Sequence, residues 1–149
     1  MVHMKLRKAT IRDVSFMLEL MDQLGYPTST EALKKRFKKF ISNKGSGVAV
    51  AMLERKIVGL IAWTRSYLFV ADKVRFHIEG LVIDKNHRHL GIGKALISFV
   101  ENIANKNRPS IIDLTSGLRR APTGTHEFYK KLGYKNEGHM AKLYLRKEL

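Results

Sequence analysis

The chain has 149 residues, 44% of them hydrophobic and 28% charged, which is one domain's worth of sequence with enough apolar material for a core and excludes a disordered tail or a coiled-coil rod. Lys and Arg number 28 against 13 Asp and Glu, a formal charge of +15 that attracts anions such as nucleic acid, lipid headgroups or phosphorylated small molecules without choosing among them. Cysteine is absent, so disulfides, thiolate zinc sites, iron–sulfur clusters and a thiol nucleophile are excluded.

No apolar run reaches the ~20 residues of a membrane span. Met1-Val2-His3-Met4-Lys5 has no apolar h-region, so no signal peptide is expected. The His3-Met4 pair reads as a cloning remnant, with Met4 as the natural start. The expectation is a cytoplasmic protein of one domain over residues 4–149.

Residues 4–9 suit a short strand. Thr10 reads as an N-cap, with Asp13 completing a capping-box variant. Ile11, Val14, Leu18 and Met21 follow at helical spacing up to Gly25-Tyr26-Pro27. A second helix starts near Thr28 or Thr30 and ends before Asn43-Lys44-Gly45. Leu33, Phe37, Phe40 and Ile41 form its apolar side, and Lys34, Lys35, Arg36, Lys38 and Lys39 fill the other. Val48–Leu53, Lys56–Val70 and Val74–Ile83 read as antiparallel hairpin strands, with Glu54-Arg55 and Ala71-Asp72-Lys73 as turns.

The second half alternates. A polar loop, Asp84–Leu90, leads into a helix from about Gly91 to Asn105, striped by Ile92, Ala95, Leu96, Phe99, Val100 and Ile103. Arg108-Pro109 breaks it, and Ser110–Leu114 reads as a strand. A short helix over His126–Leu132 closes at Gly133. From Tyr134 onward one or two closing strands are expected, ending in Ala141–Leu145. The order β-α-α-β-β-β-α-β-α-β combines antiparallel hairpins with one βαβ crossover, a mixed α/β (α+β) fold.

The segment Leu81-Val82-Ile83 to Gly91-Ile92-Gly93-Lys94-Ala95 carries the chemistry. A buried strand runs through a basic loop into a helix whose start holds two glycines. Helix N-termini present unpaired N–H groups and partial positive charge, and glycine lets an anion approach the backbone. Lys85, Arg88 and Lys94 add charge. A Walker A loop fails on spacing, because Arg88 stands where its first glycine belongs and Ala95 where its Ser or Thr belongs. A dinucleotide fingerprint fails because Leu96 replaces the third glycine.

What remains, Arg88-x-x-Gly91-x-Gly93 directly after a strand, resembles the acetyl-CoA loop of the GNAT superfamily of N-acetyltransferases. Phe128-Tyr129-Lys130-Lys131-Leu132-Gly133-Tyr134 resembles the short helix near that superfamily's C-terminal end. Ser116-Gly117 and the run from His126 to Tyr129 are similar to a bacterial, aminoglycoside-acetyltransferase-like branch. The resemblance covers nearly the whole chain and implies a mostly antiparallel, splayed sheet with helices on both faces.

It further implies acetyl-CoA as co-substrate and no metal. The backbone of Leu81, Val82 and Ile83 would pair with the pantetheine arm like an added strand. The cofactor-binding set would be those three with Arg88, His89, Leu90, Gly91, Ile92, Gly93, Lys94 and Ala95, the amides of residues 88–94 holding the diphosphate. The Arg88 side chain either contacts phosphate or braces the loop. Tyr129 matches the family position of the acid that protonates the departing thiolate, and otherwise packs its small helix. With no thiol carrier, direct transfer in a ternary complex fits better than an acyl-enzyme.

An alkylammonium of pKa about 10 must lose a proton before it attacks. Glu79, two residues before Leu81 and so on that strand face, is the candidate base, acting through water. Alternatively it orients the acceptor's ammonium or pairs with Arg75 or His77. His77, read onto the same face, is the substitute, and His126, one helical turn before Tyr129, is near the sulfur by position or else caps or packs its helix. The first two helices border the acceptor cleft in such a fold. The lysines of residues 34–39 therefore argue for an acceptor bearing carboxylate or phosphate, and against polycations, unless they are only a solvated face.

The expected function is acetyl transfer to a primary amine of a small molecule or a protein. The rivals are a basic nucleic-acid-binding module, which no recognition motif supports, and a CoA-binding regulator. The resemblance allows a homodimer and gives no reason for a membrane partner.

Overall fold

The computed structural model describes residues 3–116 and 124–149. The chain divides into two compact units, Met1–Ile112 and Asp113–Leu149. Five strands, β1 (Met4–Lys8), β2 (Gly47–Leu53), β3 (Lys56–Tyr67), β4 (Val74–Ile83) and β5 (Ser110–Leu114), form one sheet in the order β1-β2-β3-β4-β5. The pairs β1–β2, β2–β3 and β3–β4 are antiparallel. The β2–β3 turn is made by Glu54 and Arg55, both at positive φ (46° and 69°), the left-handed pair that suits a two-residue hairpin. At β5 the sense changes. The amide of Val74, the first residue of β4, donates to Pro109 O at 3.0 Å just before β5 starts, so the two strands begin side by side and run parallel. The intervening crossover is the helix α3 (Ile92–Asn105).

A 3-10 helix (Ile11–Met17), α1 (Leu18–Leu24) and α2 (Thr30–Ser42) cover one face of the sheet. Their Val14, Met17, Leu20, Leu33 and Phe37 pack with Val48, Val50, Leu60 and Val82. The spacing of Ile11, Val14 and Met17 suits the 3-10 form, in which residues three apart eclipse. Asp13 starts this turn as expected: its carboxylate accepts the Thr10 amide at 2.7 Å. It also takes both Arg7 guanidinium nitrogens, at 2.7 and 2.8 Å. Ser29 caps α2 by accepting the Ala32 amide at 3.2 Å. α3 covers the opposite face, with Ile92, Leu96, Ile97 and Val100 buried and Phe99 against Trp63 at 6.0 Å between ring centroids.

The second unit contains α4 (Thr125–Lys131). Gly133, at φ 93°, ends it with Tyr134 N–H donating to Tyr129 O at 3.1 Å, as the placement of that glycine predicts. Three expectations need correction. Ile41 is 44% exposed, not part of the α2 core side. β3 stops at Tyr67, leaving Phe69 and Val70 in the exposed turn. No closing strand forms over residues 141–145, where Leu143, Tyr144 and Leu145 are exposed and irregular and only a 3-10 turn, Gly138–Met140, precedes them. An apolar run becomes a strand only when a neighbour satisfies its backbone. No helix among the described residues is long and apolar enough to cross a membrane.

Candidate active site

β4, the turn after it and the start of α3 form one continuous strand–loop–helix. Leu81, Val82 and Ile83 end β4, Val82 buried at 2% and its neighbours half-buried. Lys85–His87 is a 3-10 turn. His89 (φ 65°) and Gly91 (φ 82°) then take the left-handed conformation, Gly91 as the N-cap of α3. Its chain neighbours and own helix backbone aside, a Cβ at Gly91 would meet no atom of the described residues within 4 Å, so the space over this backbone is open among them.

The first bond of α3 runs from Ala95 N–H to Gly91 O at 3.1 Å. The amides of Ile92, Gly93 and Lys94 precede it and have no intrahelical acceptor. They offer a cluster of donors at the positive end of a 14-residue helix, a fitting seat for a diphosphate. Ala95 is in the first turn with its amide committed to the helix, and Ile92 is buried at 1% and offers only its backbone. Arg88, His89, Leu90 and Lys94 are exposed around the opening. Arg88 Nε donates to Ile83 O at a long 3.5 Å, the bracing alternative for that side chain.

The loop is fixed from below by two residues that sequence reasoning did not single out. Asp84, read there as a loop residue, is buried at 4%. Its amide extends the sheet by donating to Val58 O at 2.8 Å. Its carboxylate accepts Gln23 Nε2 at 2.8 Å and pairs with His87 Nδ1 at 2.6 Å. Gln23 Oε1 in turn accepts the Lys85 amide at 2.8 Å. The hydrogen bond from Gln23, reinforced by His87, holds the Asp84 carboxyl below the usual carboxylate range against the opposing effect of burial. An aspartate three residues before a histidine at a strand end is a local signal; a glutamine 61 positions away is not.

Glu79 sits at a β-bulge. The register of β3 against β4 passes from Ala62↔Gly80 to Trp63↔Ile78 and skips it. The expected face of His77, shared with Leu81, therefore needs correction. His77 and Arg75 oppose Thr64 and Ser66, which places them on the same side as Gly80 and Val82 and opposite Leu81. That side is the one covered by α1, since a Cβ on Gly80 would lie 3.3 Å from Leu24. Glu79 itself is exposed. Arg75 Nη2 lies 3.0 Å from His77 Nδ1. Arginine can only donate, so Nδ1 accepts and the imidazole proton resides on Nε2.

Tyr129 lies on α4 in the second unit, edge-on to Phe128 and Tyr134 with centroids at 5.2 and 6.1 Å. His126 is half-buried on the same helix. Of the Ser116-Gly117 pair, Gly117 lies outside the described residues. Among the described residues no group of three or more His, Asp or Glu side chains could hold a metal ion.

The family model described as an acetyltransferase (GNAT) domain matches residues 20–142. N-acetylaspartate synthetase of Xenopus tropicalis is 33% identical over 99 residues, 66% of this chain and 34% of that protein. The chain spans only 34–44% of the length of the curated relatives it matches. A GNAT family acetyltransferase of Staphylococcus aureus is 25% identical with a TM-score of 0.79, covering 98% of each chain. An aminoglycoside N-acetyltransferase solved in complex with CoA shares the fold at 17% identity, TM-score 0.80, over 100% of this chain and 97% of that one. The glycine-capped strand–loop–helix is in place and the family model matches residues 20–142, well over half of the chain: the chain belongs to the GNAT acetyltransferase domain family.

Proposed function

We propose that residues 4–149 act as a single domain that transfers an acetyl group directly from acetyl-CoA to the primary amine of a small molecule or a protein. The family match across both units supports the single domain. The observation that carries the reading is the left-handed Gly91 under open space, followed by the amides of Ile92, Gly93 and Lys94, which precede the first helical bond and have no acceptor within the helix.

In this reading the backbone of Leu81–Ile83 pairs with the pantetheine arm, and the amides of residues 88–94 receive the diphosphate. Glu79, on the bulge, takes the acceptor's proton through water. His77, whose Nδ1 lies 3.0 Å from Arg75 Nη2 on the other face of the strand from Leu81, is the substitute. Tyr129 donates a proton to the departing thiolate. The exposed cations of α2, Lys34, Lys35, Arg36, Lys38 and Lys39, favour an acceptor bearing carboxylate or phosphate.

Titration calorimetry with acetyl-CoA tests the cradle. Wild type binds; Gly91→Val, which puts a branched side chain where phosphate must approach, abolishes binding while circular dichroism shows a folded protein. Because φ 82° strains any L-residue, Gly91→Ala is run beside it and weakens binding by at least about tenfold. Unchanged affinity in both variants refutes the assignment. Free thiol released from acetyl-CoA across a panel of amines then identifies the acceptor.

A further inference from the structure

Gln23 lies at the end of α1, on the sheet face that α1 and α2 cover, and its side-chain amide bonds Asp84 and Lys85, neither of them assigned to acetyl-CoA. Yet its amide spans two points of the turn that leads into them. Nε2 donates to the Asp84 carboxylate at 2.8 Å and Oε1 accepts the Lys85 amide at 2.8 Å. Asp84 passes the connection on to the His87 ring at 2.6 Å, one residue before Arg88. His87 N–H donates to Asp84 O at 2.8 Å, so the turn is closed by backbone and side chain together.

A surface loop ordinarily leaves its polar groups to water. Here a carboxylate on a residue only 4% exposed joins a half-buried histidine to one side chain 61 residues earlier in the chain. The rest of the loop holds two left-handed residues, His89 and Gly91, of which His89 is the more strained because it carries a Cβ. Such a conformation persists only where its surroundings determine it.

We infer that Gln23 and Asp84 are positioning residues for coenzyme: the Gln23–Asp84–His87 tie fixes the turn so that the following loop and the first amides of α3 are preset for the diphosphate, and it links that setting to α1. The inference rests on the acetyl-CoA reading above. Preorganisation of this kind lowers the ordering entropy that binding must otherwise overcome. Removing the tie therefore weakens acetyl-CoA without deleting any contact to it. Movement of α1, which covers the face where Arg75 and His77 stand, is transmitted to the coenzyme side by the same atoms.

The hydrogen-bond roles can be exchanged. When Gln23→Glu is combined with Asp84→Asn, the carboxamide now at position 84 donates to the carboxylate now at position 23. The carbonyl of that carboxamide accepts from His87 Nδ1–H, and the carboxylate still accepts the Lys85 amide. Wild type, Gln23→Ala, Asp84→Asn and the exchanged pair are compared by acetyl-CoA titration and, without ligand, by hydrogen exchange of residues 85–93.

Each single variant is expected to lose about tenfold in affinity, one good hydrogen-bonded contact's worth, and to exchange faster over residues 85–93 but not over β2 and β3. The exchanged pair regains affinity to within about threefold of wild type. A merely structural role lowers the melting temperature but leaves affinity unchanged well below it. Equal affinity in Gln23→Ala and wild type, or no recovery in the exchanged pair, overturns the inference. Wild type failing to bind acetyl-CoA overturns the coenzyme reading and the inference with it, whereas wild-type binding with unaffected variants overturns the tie alone.

Discussion

Glu79 and Tyr129 divide the proposed proton transfers between them, and each has its own kinetic signature. A general base matters while the acceptor is an ammonium and loses its advantage once pH approaches the amine's own value of about 10. Glu79→Gln is therefore expected to lower kcat roughly hundredfold near pH 7, with the deficit narrowing as pH rises toward about 10. If Glu79 only orients the ammonium, the loss falls on the acceptor's KM, with no narrowing in kcat. Tyr129→Phe keeps the ring that packs on Phe128 and Tyr134 and removes only the hydroxyl. It should lower kcat while leaving the Kd for acetyl-CoA within about twofold; full turnover would remove Tyr129 from the mechanism. The bulge also explains why the sequence misplaces His77. Strict alternation puts His77 with Leu81, and one residue skipped in the register at Glu79 reverses every side chain before it. Periodicity in a single strand does not show where its partner slips.

α3 depends on close approach to the sheet. A Cβ built on Gly59 of β3 would lie 3.1 Å from Ile83, 3.2 Å from Ile92 and 3.2 Å from Leu96, the last residue of β4 and the first two core turns of α3. Gly59→Ala should push the helix start outward, destabilising the fold by about 1–3 kcal/mol. It should also weaken acetyl-CoA binding, because the displaced turn carries the amides of Ile92, Gly93 and Lys94. Urea denaturation and titration on the same sample check both effects, and lost stability with intact affinity would show that the cradle tolerates the shift. Elements of this kind are the legible part of the chain. Ile92, Leu96 and Val100 recur at helical spacing and all are buried. Gly91 and Gly133 mark helix boundaries that the structure realises. Pairings distant in sequence are not legible: Gln23 with Asp84 has no local pattern. Residues 141–145 show the converse, since their apolar, β-forming run has the composition of a strand but nothing in it supplies a partner.

For the molecule as a whole, an excess of +15 makes acid the expected mode of failure. Asp13 and Asp84 are the two buried acidic residues among those described, and both hold their carboxyls below the ordinary range. For Asp13 the main cause is the two-pronged hydrogen bond from Arg7, opposed by burial and aided by Thr10. A carboxyl whose folded value is depressed binds its proton more readily when unfolded. Its contribution is thus complete above the unfolded value of about 4 and disappears as pH falls through the lower folded value. Protonation also raises the net positive charge, so self-repulsion grows over the same interval. The urea midpoint should accordingly lose support from these two carboxyls below about pH 4. Asp13→Asn removes one contributor together with the Arg7 pairing. At neutral pH it should destabilise by about 1–2 kcal/mol, as expected for a lost helix cap with a charge-assisted partner. Its acid limb should also be shallower than wild type, because the substituted side chain no longer titrates. A parallel acid limb in the two proteins would show that the Arg7–Asp13 pair leaves folding stability independent of the proton.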